Sequence, residues 1–165
     1  MADPEEIEIK DYVLSPVEKI WITYKGQKPL SIVKQAENIM KIGVDVSASS
    51  LFNSIFKYDT TDGSFYNKLH ANRSFDKFTK AFFYIEFDGG QNLETGEGTI
   101  RITLYATLET KFPYANSLQR SLWWSYYHAF YKIQRNRYRI IAEKYVYKLR
   151  NTFMQISGIS APEMQ

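Results

Sequence analysis

The chain has 165 residues, 44% of them hydrophobic, a formal net charge of +3 and no cysteine. That length buries a core without covalent staples, and the missing thiols exclude disulfides, thiolate metal sites and cysteine nucleophiles. The acidic start, Met1 to Glu6, lacks the basic residues and apolar run of a signal peptide, and no apolar stretch nears the roughly 20 residues that cross a bilayer. A soluble, cytoplasmic single domain is expected, ordered from about Ile7 to Ile156 with fraying tails.

In chain order, Ile7–Leu14 reads as an extended lead-in. Glu18–Lys25 reads as a strand with Ile20, Ile22 and Tyr24 on one face. Pro29 suits the first turn of a helix over Leu30–Ile42, which carries Leu30, Val33 and Met40 along an apolar stripe and has Gly43 as its stop. Ser49–Tyr58 is ambiguous, because Leu51, Phe52, Ile55 and Phe56 fit a helix while Phe52, Phe56 and Tyr58 fit one strand face. Ser64–Arg73 and Lys80–Asp88 read as strands, and Gly89–Gly98 as a hairpin loop with four glycines. Thr99–Thr110 alternates cleanly: Ile100, Ile102, Leu104, Ala106 and Leu108 against Arg101, Thr103, Tyr105, Thr107 and Glu109, as in an antiparallel strand buried on one face.

After Pro113, Asn116 or Ser117 caps a helix that nothing interrupts until about Ile156, ~60 Å at 1.5 Å per residue. Its apolar stripe moves: Leu118, Leu122, Tyr126, Ala129 and Ile133 share one side, whereas Tyr138, Tyr145, Leu149, Phe153 and Ile156 lie roughly 150° away. Either the helix kinks near Arg135–Arg139, or its two halves pack on different surfaces, one of them supplied by a partner subunit. The fold class is therefore α+β: an antiparallel sheet, one short helix, and a long carboxy-terminal helix packed on the sheet.

This order resembles the helix-grip arrangement of START and polyketide-cyclase-like proteins. The residues behind the likeness are Lys19–Lys25, Pro29–Ile42, the strands through Leu104–Thr110, and the Asn116–Ile156 helix. The resemblance implies a cavity between sheet and last helix, usually for an apolar ligand. Some members of that group bind macromolecules and others catalyse cyclisations or hydrolyses. Only four or five meander strands are legible here, fewer than the family has.

Charge is segregated. Asn116–Ser157 carries eight basic residues and a single acid, Glu143, about +7, whereas residues 1–115 carry 13 basic and 16 acidic residues, about −3. A one-signed surface attracts an oppositely charged partner. Lys132, Arg135, Arg139 and Arg150 fall within a ~60° arc with His128 nearby, and Arg137, Lys144 and Lys148 form a second cluster. Cations on a rigid rod contact successive phosphates, and rings such as Tyr138 stack on exposed bases. The competing reading pairs these cations with Glu86, Asp88 or Glu109 of the same fold, and anionic lipid is a third.

The leading expectation is a non-enzymatic protein that docks on RNA or a ribonucleoprotein. An apolar-ligand site walled by Phe83, Leu104, Tyr105, Trp123, Tyr127 and Phe130 is the first alternative, and a homo-oligomeric subunit using the displaced apolar stripe is the second. His70 and His128 lack partners at metal-ligand spacing. Asp59, Asp62 and Asp76 flank turns, where Asp closes local hydrogen bonds. No cofactor is implied.

Overall fold

The computed structural model describes residues 4–158. It is α+β, an open antiparallel sheet with a short helix and a long carboxy-terminal helix on one face. The strands are β1 (Glu5–Tyr12), β2 (Ile20–Gln27), β3 (Leu51–Tyr58), β4 (Ser64–Ser74), β5 (Thr79–Gln91) and β6 (Glu97–Tyr114). The sheet order is β1-β6-β5-β4-β3, and β2 also pairs with β6. Strand β6 is thus the spine. Its carboxy-terminal half pairs with β1 through Tyr12↔Thr107, and its amino-terminal half pairs with β2 through Ile20↔Leu104.

The alternation of β6 sorts the two faces. Ile100, Ile102, Leu104, Ala106, Leu108 and Phe112 are fully buried, joined on β5 by Ala81, Phe83, Ile85 and Phe87. Helix α1 (Leu30–Val44) closes over these through Ile32, Val33, Ala36, Ile39 and Met40. Gly43 does not end α1. It is buried inside the helix, where a Cβ would lie 2.7 Å from Leu149 Cδ2, so its bareness lets α1 approach the last helix. The stop falls two residues later, at left-handed Asp45 (φ 56°).

The ambiguous segment resolves into a single 3₁₀ turn at Ala48–Ser50 followed by β3. As the sheet's edge, β3 leaves Phe52, Ile55, Phe56 and Tyr58 exposed. Apolar residues on both faces of an edge strand blur either period, which is why the sequence fitted both.

Helix α2 (Ser117–Tyr126) is capped by Asn116, whose Oδ1 accepts the Gln119 N–H at 2.9 Å. A π turn at Tyr127–Tyr131 joins it to α3 (Lys132–Ser157). The helix does not break at Arg135–Arg139. Its irregularity lies one to two turns earlier, and an inserted residue there resets which side faces the sheet. In α3, Ala142, Val146, Leu149 and Phe153 pack on the sheet. In α2 the sheet-facing residue is Trp123, stacked on Phe112 at 4.9 Å with its Nε1–H donating to Pro113 O. Leu118, Leu122, Phe130 and Ile133 are left 69%, 61%, 70% and 64% exposed.

Among the described residues no helix is long and apolar enough to cross a membrane.

Candidate nucleic-acid interface

The two basic clusters of the long helix meet opposite fates. Arg135 shares the wheel position of Ala142, Val146 and Phe153 and points into the protein, 7% exposed. Its Nη1 donates to Asp11 Oδ2 at 2.6 Å, its Nε to Thr110 Oγ1 at 2.9 Å, and its Nη2 to the carbonyls of Leu108 and Ile9 at 3.1 and 3.2 Å. A guanidinium with these bonds filled is a structural pin between α3, β1 and β6. Arg135 is therefore corrected from phosphate contact to core.

A polar chain continues from it. Thr110 Oγ1 meets Thr79 Oγ1 at 2.8 Å, and Thr79 meets the Tyr131 hydroxyl at 2.6 Å. Tyr131 and Tyr138 donate to Asp76 Oδ2 at 2.7 and 3.0 Å. Asp76 Oδ1 accepts the backbone N–H groups of Phe78 and Thr79, closing the β4–β5 turn. Burial pushes the Asp76 carboxyl up, but the bonds from Tyr131, Phe78, Thr79 and Tyr138 outweigh it and hold it below its ordinary value. Burial, reinforced by Asp76, raises Tyr131 well above the usual phenol range. Tyr138 is partly engaged within the fold: one face of its ring lies on Phe75 at 4.8 Å and its hydroxyl is tied to Asp76.

Arg139 is half-buried. Its Nη1 donates to Val13 O at 3.2 Å and reaches Glu143 at 3.5 Å. Arg150 lies over the Tyr147 ring at 4.8 Å and lines a cleft of about 430 Å³ with Ile20, Trp21, Ile22 and Met154.

The second cluster faces outward. Arg137, Lys144 and Lys148 occupy the pole of α3 opposite Ala142, Val146 and Leu149, and all three are exposed. Among the described residues none has a carboxylate within 4.0 Å. Lys144 and Lys148 stand one turn apart, about 6 Å along the axis. They line a shallow groove of about 540 Å³ together with Tyr147, Asn151, Thr152 and Gln155. Lys132 is exposed, and His128 is exposed with its ring stacked on Trp124 at 5.8 Å. Of the acids offered as intramolecular partners, Glu86 pairs with Lys68 and Glu109 with Lys111, while Asp88 has no cation within 4.0 Å among the described residues.

The six residues of the apolar-ligand alternative are not brought together. Phe83 and Leu104 have no accessible surface, so neither borders space that admits a water. Tyr105 projects from the opposite face of β6, stacked on Tyr84 at 4.7 Å. Trp123 covers Phe112, Tyr127 packs beside Trp124, and Phe130 points to solvent. Period-2 alternation places Tyr105 and Leu104 on different faces, a signal present in the sequence.

No family model matches the chain, and no curated protein matches it. Solved structures similar to it include two uncharacterised proteins. A protein of unknown function from Staphylococcus aureus is 15% identical over 93% of this chain and 99% of its own, with a TM-score of 0.24. An uncharacterized protein from Rhizobium leguminosarum is 10% identical over 88% of this chain and 99% of its own, also at 0.24. Likeness at that level says nothing about what this chain binds.

Proposed function

We propose that this chain is a non-enzymatic binding protein that docks on structured nucleic acid, RNA or a ribonucleoprotein such as the ribosome, through α3. Arg137, Lys144 and Lys148 contact phosphates, with Lys132 and His128 at the flank. Arg139 and Arg150 lend charge from the side, and Arg135 and Tyr138 hold the helix in place. The observation that carries this reading is the outward stripe of three cations without a carboxylate neighbour among the described residues. The groove beside Lys144 and Lys148 adds the side-chain amides of Asn151 and Gln155 and the hydroxyl of Thr152. We read the architecture as a helix-grip variant, with side chains filling the space around Phe83 and Leu104 where a ligand cavity is expected.

Phosphate neutralisation releases counterions, so affinity for RNA falls as salt rises, by about 0.7 to 0.9 in log–log slope per phosphate contact. Lys144→Glu with Lys148→Glu is expected to flatten that slope by one to two such contacts and to leave folding unchanged. Retained affinity in the double variant, or no binding to RNA at low salt, sinks the proposal.

A second reading, self-association, is favoured by one observation, the exposure of Leu118, Leu122, Phe130 and Ile133 on one side of the α2–α3 rod. Patches of this kind mark contact surfaces.

A further inference from the structure

The sheet face away from the helices holds a different kind of surface. Phe52, His70, Tyr84 and Tyr105 stand in register on β3, β4, β5 and β6. Their ring centroids are 5.1, 5.7 and 4.7 Å apart, and Tyr12 of β1 joins Tyr105 at 6.4 Å. Phe52–His70 and Tyr84–Tyr105 are stacked, so each of these rings covers one face of its neighbour, and Lys68 Nζ lies over the Tyr84 ring at 5.5 Å.

At the Tyr12–Tyr105 end of this row the face dips into a cleft of about 360 Å³ lined by Lys10, Asp11, Tyr12, Lys68, Tyr84, Tyr105 and Thr107. Lys19 Nζ lies 4.4 Å from the Tyr105 ring centroid. Lys68 pairs with Glu86 at 3.4 Å, and the Tyr105 hydroxyl donates to the same carboxylate. Asp11 is offset by Arg135. Lys10 in the cleft and Lys19 beside it, over the Tyr105 ring, have no acid within salt-bridge distance among the described residues, so the cleft and its rim together carry net positive charge. Thr107 is 6% exposed, and its Oγ1 has no hydrogen-bond partner. A buried hydroxyl left unpaired costs free energy, and native proteins leave few of them.

We propose that this cleft binds a phosphorylated ring compound the size of a nucleoside monophosphate. Lys10 and Lys19 meet the phosphate, Thr107 Oγ1 takes the hydrogen bond it lacks, and Tyr12 and Tyr84 border the ring. The site is independent of the α3 stripe, and its ligand is either free or the unpaired nucleotide of a single strand. Pockets of this volume hold small ligands with few convergent polar groups.

The test is an amide-resolved NMR titration of the full chain with uridine 5′-monophosphate, with oligouridine and with inorganic phosphate. Shifts at Lys10, Tyr12, Tyr105 and Thr107 with uridine monophosphate, weakened about tenfold in Thr107→Val, support a free ligand. The same shifts with oligouridine alone support a single strand. In either case Lys144→Glu with Lys148→Glu leaves them in place, so the two sites fail separately. Equal shifts with inorganic phosphate, indifferent to Thr107→Val, show unspecific anion attraction and overturn the proposal. So does silence of these amides with all three probes at low-millimolar concentration.

Discussion

Arg135 on α3 and Asp11 on β1 lie 2.6 Å apart, N to O, across 124 residues of sequence. The carboxylate is half in solvent while the guanidinium is buried, so the pair fastens the rim of the sheet to the inside of the helix. Leaving the acceptors of Thr110, Leu108 and Ile9 unfilled, with half-exposed Asp11 returned to water, is expected to cost about 1 to 3 kcal/mol. Arg135→Ala should show that loss in a urea unfolding midpoint. Arg135→Lys should recover little of it, because one ammonium does not span the four acceptors. A midpoint near wild type in Arg135→Ala would return this residue to the surface.

Stability should depend on acid through Asp76. Its folded pKa lies below the unfolded value of 3.8, so its contribution is complete above about pH 3.8 and disappears as pH falls through the folded pKa. Asp76→Asn removes the charge that four donors address, and its unfolding free energy should be lower than wild type at neutral pH and flatter with pH in the acid range. Parallel acid profiles for the two proteins would place the sensitivity elsewhere.

Thr107→Val should raise stability slightly, by about 0.5 to 1 kcal/mol, because it replaces an unpaired buried hydroxyl with a methyl group of the same shape. A thermal midpoint at or above wild type is expected, and a clear fall would mean that the hydroxyl is already satisfied.

Leu122→Glu together with Phe130→Ser should leave the monomer as stable as wild type within about 0.5 kcal/mol, since both side chains are exposed. If self-association uses this side, sedimentation shows a concentration-dependent mass that the double variant abolishes. A wild-type mass that stays monomeric at all concentrations removes the oligomer reading.

The fold was legible where periodicity is enforced by one buried face, as in Ile100–Leu108, and where capping chemistry is local, as at Asn116. What separated the two basic clusters was not local. Arg135 sits on the wheel among Ala142, Val146 and Phe153, a position that hints at burial, but the partner that makes burial tolerable is at the other end of the chain. The π turn has no residue signature among Tyr127–Tyr131, so the reset of the apolar stripe could be seen only as a displacement without a location. Strand β3 was obscured by being an edge. The outer-face cleft draws on four strands, and Thr107 read simply as the polar half of an alternation.

Strand β6 has one further consequence, for the order in which the molecule assembles. Residues 97–114 are the template on which β1, β2 and β5 all align. During synthesis β1 and β2 therefore wait, unpaired, until β6 has emerged. Closing such long loops is slow, so β1 and β2 are the segments most in need of protection from unintended strand partners before β6 arrives.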